Sequence, residues 1–143
     1  MPFSPKNTKY RKQHKMKNTG IAQCGHVPVW GEWGLQAITR GRLTDKQIEA
    51  GRRTINRNIK HQGKLFIRVM ADKPFTDKGP EVKMGKGKGA FSYWGLYVQP
   101  GKIIYEIQGT SEALARFSLL KCATKMPFKV KVVQRPNDIK DPS

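Results

Sequence analysis

Acidic side chains are scarce in this sequence. Its 143 residues include only 10 Asp and Glu against 28 Lys and Arg, so the formal net charge is +18. A free chain with this imbalance repels itself, and binding to a polyanion relieves the repulsion. Nucleic acid is therefore the partner that the composition favours, and an anionic membrane surface is the alternative.

Long apolar runs and cysteines are also scarce. No segment approaches the ~20 apolar residues that a membrane-spanning helix needs, and the N-terminus has no apolar core of a secretory signal. The hydrophobic content of 37% indicates a modest core. Cys24 and Cys122 lie far apart in a lysine-rich chain, which favours reduced thiols over a disulfide or a metal site. The length of the chain suits a single domain.

The glycine-lysine string "MGKGKGA" at 84–90 raises the question of a nucleotide-phosphate loop. Such a loop requires G-x-x-x-x-G-K-[ST] between a strand and a helix. The spacing here differs, and "AFSYWGLYV", which follows, has the pattern of a strand. The dinucleotide motif fails as well, because Ala90 and Phe91 follow where a third glycine is needed. The string therefore does not predict a nucleotide-binding enzyme.

Metal and catalytic sites have few candidate residues. Zinc needs four ligands at suitable spacing, whereas Cys24 and His26 have only the remote His14, His61 and Cys122 to complete a set. Catalysis of the ribonuclease kind would need two histidines near one phosphate, and nothing local pairs any of the three with a carboxylate. We predict no metal, no cofactor and no enzymatic activity.

Residues 1–22 contain six lysines or arginines and no acidic residue. Pro2 and Pro5 disfavour an early helix, and no apolar periodicity follows. The segment predicts an extended basic arm that lies along phosphates, with Tyr10 and His14 able to stack on bases. A solvated, disordered tail is the alternative.

A helix is predicted from Thr44 to about His61. Thr44 and Gln47 form the pattern of a capping box. At 100° per residue, Ile48, Ile55 and Ile59 fall on one side of the helix, and Lys46, Arg53, Arg57 and Lys60 fall on the other. The predicted helix packs on its own domain through the isoleucines and turns its cations towards a polyanion; a merely solvated basic face is the alternative.

The remaining pattern predicts strands and a second helix. The sequence Gln99-Pro100-Gly101-Lys102 has the signature of a type II turn, here predicted to close a hairpin. The second helix runs from about Ser111 to Lys125 with Leu114, Phe117 and Leu120 as its apolar side. Other strand-like runs lie at 27–39, 63–70 and 128–133. The fold class is α+β: two helices packed on a mostly antiparallel sheet.

The domain prediction follows these boundaries. A basic N-terminal arm covers 1–22, a single α+β domain covers 23–135, and a tail covers 136–143. Within the domain, 71–90 shows no strong period and contains two prolines and four glycines. A stretch of this length without regular structure is usually functional or disordered, and we expect a projecting loop here.

Five segments of this sequence resemble the bacterial-type ribosomal protein L-sixteen family of the large subunit. They are "PKNTKYRKQHK", "GLQAITRGRLTDKQIEAGRRTINRNIKHQGKLFIRV", "DKPFTDKGPEVKMGKGKGAFSYW", "QPGKIIYEIQG" and "KMPFKVKVVQR". They occur in the family's order and cover about residues 5–135. The family typically has arginine before the Met-Gly-Lys-Gly-Lys-Gly string, where this chain has Lys83. Lysine keeps the charge but does not offer the bidentate contact of arginine.

The resemblance implies a structural constituent of the large ribosomal subunit, with large-subunit rRNA, tRNA and neighbouring ribosomal proteins as partners. It implies no membrane partner and no homo-oligomer. In such proteins the arm and first helix pack on rRNA, which assigns that role to Lys6, Lys9, Arg11, Lys12, His14, Lys15, Lys17, Arg40, Arg42, Lys46, Arg52, Arg53, Arg57 and Lys60. The loop matching 77–89 faces tRNA near the peptidyl-transferase centre, which assigns Lys78, Lys83, Met84, Gly85, Lys86, Gly87, Lys88 and Gly89.

The resemblance also bears on location. "QIEAGRR", "PEVKMGKGKG" and "VVQR" look most like alphaproteobacterial and organellar members. We expect a ribosome of the mitochondrial matrix, with the bacterial cytoplasm or the plastid stroma as alternatives. A free-standing basic RNA-binding assembly factor is the second functional hypothesis, and a small RNA-cleaving enzyme is the third.

Overall fold

The computed structural model describes residues 3–136, so most of the predicted tail lies outside the described residues. In chain order the elements are β1 (Trp33–Ala37), β2 (Gly41–Thr44), α1 (Asp45–Ile59), β3 (Lys64–Ile67), β4 (Lys73–Asp77), β5 (Ala90–Val98), β6 (Ile103–Gln108), α2 (Glu112–Ala123) and β7 (Val130–Gln134).

The strands form two antiparallel sheets. The first has the order β3-β6-β1-β7, and the second has the order β2-β5-β4. The two helices pack side by side, and α2 also contacts β1 and β7 of the four-stranded sheet. The α+β class is confirmed, with two sheets where the sequence predicted one.

Helix α1 begins and packs as its sequence predicts. Thr44 accepts a hydrogen bond from the backbone N–H of Gln47 at 3.2 Å, and the Gln47 side chain accepts one from the backbone N–H of Thr44 at 3.0 Å. These two bonds are a complete capping box. Ile48, Ile55 and Ile59 are all buried. The helix ends at Ile59, and its C-cap residue Lys60 adopts a left-handed backbone at φ 48°.

A tyrosine on the four-stranded sheet fixes α1 in place. Tyr105 on β6 is fully buried, and its hydroxyl donates to the carbonyl oxygen of Ile48 at 2.7 Å. Gly51 leaves room for this ring, since a Cβ at Gly51 would lie 2.5 Å from the Tyr105 hydroxyl oxygen. Burial raises the pKa of Tyr105, which keeps its hydroxyl protonated as a donor.

The predicted type II turn is present, but the predicted hairpin is wrong. Lys102 donates its backbone N–H to the carbonyl of Gln99 at 3.2 Å, and Gly101 has φ 92°. The two strands that flank the turn lie in different sheets, because β5 pairs with β2 and β4 whereas β6 pairs with β1 and β3. Local turn chemistry specifies a reversal of the chain; it does not specify the partner of each strand.

Two short strands were not predicted. β2 at Gly41–Thr44 pairs with the end of β5, and β4 lies within the interval 71–90 that the sequence indicated as irregular. Pro74 obscured β4, because proline cannot donate to a sheet. β4 accommodates it as the edge strand of the three-stranded sheet.

The predicted apolar face of α2 is also wrong. Phe117 and Leu120 are 51% and 59% exposed, whereas Ala115, Ser118, Leu119 and Cys122 form the buried face. Small side chains on that face let α2 approach α1 and the sheet closely. The larger apolar residues are thereby left on the outside of the helix.

Candidate nucleic-acid interface

The N-terminal arm lies against the domain at both of its ends. Ala71 donates its backbone N–H to the carbonyl of Phe3 at 3.2 Å, and Phe3 packs on the core. At the C-terminal end of the arm, the Asn18 amide donates to the carbonyls of Gly41 and Val98, each at 3.1 Å. The backbone N–H of Ala22 also reaches the carbonyl of Pro100 at 2.9 Å.

Between these two ends the arm is exposed. Residues 6–17 contain no helix or strand, and all of them are exposed. Every arm residue assigned to rRNA contact therefore lies at the surface: Lys6, Lys9, Arg11, Lys12, His14, Lys15 and Lys17. Lys9 also lies over the ring of Tyr10, 5.6 Å from its centroid.

Lysine side chains connect the arm to the edge of the three-stranded sheet. Lys88 donates to the backbone carbonyl of Gln13, and Lys12 donates to the carbonyl of Lys88 at 3.4 Å. The ammonium of Lys73 is 3.5 Å from the amide oxygen of Gln13. Lys88 was assigned to the tRNA-facing loop; in the structure it also holds the arm.

The cationic side of α1 is partly neutralised by one carboxylate. Glu49 accepts from Arg52 at 2.7 and 2.8 Å and from Arg53 at 2.8 Å. The hydrogen bond from Arg52 is the main cause that lowers the pKa of Glu49 to about 2. Lys46 and Arg57 are exposed on the same helix, as is Lys60 at its end.

A groove between the two helices adds cations that the sequence did not single out. Arg57 and Asn58 of α1 face Lys121 of α2 and Lys125 just after it, across a space of about 500 Å³. Because α2 contributes to this surface, the cationic region extends from α1 onto α2. No local signal connects Lys121 and Lys125 to α1; only the packing of the helices brings them together.

The glycine-lysine loop is the tip of the β4–β5 hairpin. Its predicted residues Lys78, Lys83, Met84, Lys86 and Lys88 are exposed, and the Met84 side chain is 86% exposed. Gly85 and Gly87 have φ 83° and 82°, which glycine adopts readily. Gly89 closes the loop, since a Cβ there would lie 2.4 Å from the carbonyl oxygen of Asp77.

The outer face of the three-stranded sheet carries aromatic residues that the sequence analysis did not assign to RNA. Phe75 on β4 stacks on Tyr93 of β5 at a centroid distance of 5.2 Å and meets Tyr97 edge-on at 5.5 Å. The guanidinium of Arg42 on β2 lies 4.8 Å from the centroid of Phe75. Tyr93 and Tyr97 lie four residues apart on one strand, and this spacing was the sequence signal for the aromatic cluster. Recognising the cluster also requires the pairing of β5 with β2 and β4, which the sequence did not predict.

A buried carboxylate orders the segment that leads into β1. Glu106 on β6 has no exposed surface, and its Oε2 accepts backbone N–H groups from Val29, Trp30 and Gly31 at 3.1, 2.7 and 2.9 Å. Its Oε1 accepts from Arg68. Trp30, held in this way, is 45% exposed.

Residues 3–136 contain neither a metal-binding cluster nor a membrane-spanning helix. There, no group of His, Cys, Asp and Glu is arranged to hold a metal ion, and no helix has the length and apolar content to cross a membrane. Cys24 is exposed, Cys122 is buried, and both are free thiols. His14, His26 and His61 are all at the surface.

Known proteins match this chain along most of its length. A family described as "Ribosomal protein L16p/L10e" matches residues 5–133. The chain is 55% identical over 133 residues to the "Large ribosomal subunit protein uL16" of Psychrobacter arcticus, covering 93% of this chain and 97% of that protein. Proteins with the same name from Francisella philomiragia and Francisella tularensis subsp. novicida are 53% and 52% identical over the same shares. The family predicted from the sequence is thereby confirmed, and the chain belongs to the ribosomal L16p/L10e family.

Proposed function

We propose that this protein is a structural constituent of the large ribosomal subunit, where it binds rRNA and supports translation. The observation that carries the proposal is the family match over residues 5–133, in a chain of net charge +18. Family membership favours this role over a free-standing assembly factor and over an RNA-cleaving enzyme.

Two surfaces supply the rRNA contacts in this proposal. The arm is tied to the domain by Phe3 and Asn18, so its intervening cations are presented without the full entropy cost of ordering a free tail. The second surface is the outer side of α1, extended by Lys121 and Lys125. Lysine and arginine at these positions neutralise phosphates and release counterions on binding.

The loop at 78–89 is the element proposed to approach tRNA. It projects from two paired strands, which fix its base while its tip remains exposed. Glycines 85 and 87 keep side-chain bulk off the tip, and a Cβ at either position would meet no other atom within 4 Å. Lys83 and Lys86 supply point charges for phosphate.

Sedimentation tests the ribosomal role. Extracts are layered on sucrose gradients at physiological salt, and the chain is followed by mass spectrometry. We expect it in the large-subunit and whole-ribosome fractions. Its absence from both, with full recovery at the top of the gradient, would show that the proposed function is wrong.

Substitution of the loop lysines tests the tRNA role. Lys83→Ala with Lys86→Ala should leave incorporation into large subunits unchanged and weaken tRNA binding to those subunits, because two phosphate-binding charges are lost from the tip. Lys88 is left intact because it also holds the arm. Filter binding of labelled tRNA to purified ribosomes measures the effect.

The matched control for the loop is Lys129→Ala with Lys131→Ala, which removes the same charge from exposed positions at β7. This pair should leave tRNA binding unchanged. Lost subunit incorporation with normal tRNA binding in the loop variant would refute the assigned role.

The cellular location was predicted as the mitochondrial matrix, and the bacterial relatives do not support that preference. We propose a bacterial-type ribosome in the bacterial cytoplasm. Cell fractionation followed by ribosome purification distinguishes this compartment from an organelle.

A further inference from the structure

We propose that the outer face of the three-stranded sheet is a binding site for an unpaired rRNA nucleotide, whose base stacks on Phe75 and Tyr97 beside Arg42, with Tyr93 supporting the Phe75 ring. This inference rests on the proposed function and deepens it. It assigns base recognition to aromatic residues of β4 and β5, outside the arm, the helix and the loop tip.

Strand register places the cluster on one face. Arg42 is directly opposite Tyr97 in the β2–β5 pair, and Phe75 is directly opposite Tyr93 in the β4–β5 pair. The neighbour Leu43, whose side chain points to the other face, is buried. The aromatic rings are only half-buried and Arg42 is exposed, so the cluster is accessible to a ligand.

Gly95 makes this aromatic arrangement possible. It lies between Tyr93 and Tyr97 on the same face of β5, and a Cβ there would be 2.9 Å from the Phe75 ring. Without a side chain at Gly95, the Phe75 ring lies across β5 and contacts both tyrosines. The absence of a side chain in the middle of a strand thus produces a continuous apolar and aromatic floor.

The cleft above this floor has the charge and size for a nucleotide. It encloses about 290 Å³ and is bounded by the arm on one side and by β4 on the other. Lys15, Lys73 and Lys88 line it together with Arg42, and Asp77 is the acidic residue that also lines it. Aromatic rings and guanidinium planes stack on unpaired bases, and the lysines suit the attached phosphates.

The alternative is a structural role, in which Arg42 and the three rings only stabilise the sheet. Cation–π contact between Arg42 and Phe75 does contribute to the fold. It leaves unexplained why Phe75 and Tyr97 face an open cleft lined by four cationic side chains. Stacking on a base uses both the exposed ring surface and the charges.

Binding of two short RNAs to the full-length protein tests the proposal. One probe is fluorescein-labelled hexaadenylate, and the other is a hexamer with the same sugar-phosphate chain but abasic at every position. We expect hexaadenylate to bind at least ten-fold more tightly, because only this probe has bases that can stack. Equal affinity for both probes would overturn the proposal.

Two variants then locate the binding. Phe75→Leu and Tyr97→Leu keep apolar volume and should weaken hexaadenylate binding by roughly 5- to 100-fold, with little change for the abasic probe. Phe117→Leu is the matched control, since this exposed ring lies on α2. Circular dichroism confirms that each variant is folded. Equal losses for Phe117→Leu and Phe75→Leu would contradict the assignment.

Crosslinking keeps the proposal testable if a variant fails to fold. Unmodified large subunits, with and without bound tRNA, are irradiated, and the peptides attached to RNA are sequenced by mass spectrometry. We expect a peptide containing Phe75 or Tyr97 joined to rRNA in both samples. Crosslinks of these peptides to tRNA alone, or RNA-linked peptides from α1 only, would show that the sheet face does not bind rRNA. Loss of the chain from the subunits would instead refute the ribosomal role.

Discussion

Glu106 is an ionisable side chain that the fold encloses completely. Its two oxygens serve different partners: one accepts three consecutive backbone N–H groups from residues 29–31, and the other accepts from Arg68. A buried charge requires this degree of pairing, because an unpaired one is expensive to remove from water. The carboxylate therefore anchors the segment before β1 and the residue that follows β3.

We predict that Glu106→Gln lowers the free energy of unfolding by roughly 2–4 kcal/mol. The amide keeps some hydrogen bonds, but it leaves Arg68 without an opposite charge and places an NH₂ group near backbone donors. Urea unfolding followed by circular dichroism measures the loss. Glu112→Gln is the control, since its pair with Arg116 is exposed and should change the free energy by no more than about 0.5 kcal/mol. A loss of unfolding free energy for Glu106→Gln as small as that for Glu112→Gln would contradict the anchoring role.

Glu49 links the stability of α1 to pH. Its pKa is lowered from 4.5 to about 2, with the hydrogen bond from Arg52 as the largest cause. A carboxyl group whose pKa is lower in the folded state stabilises the fold above its unfolded pKa, and this contribution is lost as the pH falls towards the folded pKa.

We therefore predict that wild-type protein and a Glu49→Gln variant differ most in unfolding free energy above pH 4.5 and converge near pH 2. Urea titrations at intervals between pH 2 and 6 measure the difference. Glu81→Gln, which removes one carboxylate from the exposed loop, is the matched control. A constant gap between wild type and Glu49→Gln across this range would refute the assigned linkage.

Elements differ in how far their own sequence specifies them. Helix α1 has a capping box, a stripe of isoleucines and cations on its outer side, and the structure has all three. Helix α2 has little amphipathic pattern, so its buried face could not be read from apolar residues. Ala115 and Ser118 are buried there because α1 and the four-stranded sheet pack closely against α2 at these positions. This close packing depends on the tertiary structure and not on the sequence of α2 alone.

In the strands, too, some features are set by local sequence and others by contacts with distant residues. Gln99-Pro100-Gly101-Lys102 forms the predicted turn, since proline and glycine supply the required φ angles locally. Which strand then pairs with which is decided by contacts remote in sequence, and β6 joins β1 and β3 instead of β5. The short β2 and the proline-containing β4 are strands because β5 lies between them.

At the scale of the whole molecule, charge governs association with RNA. With 28 cationic and 10 acidic residues, binding to naked rRNA should weaken steeply as salt increases. Each lysine that contacts a duplex phosphate contributes about 0.9 to the slope of log affinity against log salt. Double lysine substitutions in the arm and at β7 remove the same charge, so their effects on this slope can be compared directly.

We predict that Lys9→Gln with Lys17→Gln makes this slope shallower by about 1.8, as expected for two lost phosphate contacts. Lys129→Gln with Lys131→Gln should leave the slope near the wild-type value, because these lysines lie at β7 outside the proposed interface. Fluorescence anisotropy with an rRNA fragment at several salt concentrations measures both. The same slope change in the two variants would show that arm and β7 contribute alike through net charge.

The sequence alone indicated a polyanionic partner through its composition, and it determined helix α1 and the type II turn because capping and turn chemistry act over a few residues. Hydrophobic periodicity gave the α+β class, and the resemblance of five segments to known proteins gave the family. Tertiary structure decided what depends on distant neighbours. It placed the arm along the three-stranded sheet, brought Lys121 and Lys125 beside Arg57, and enclosed Glu106. It also assembled Arg42, Phe75 and Tyr97 from three strands into one face. Side chains up to 55 positions apart meet there only because strand pairing fixes their register, and no local pattern encodes that register.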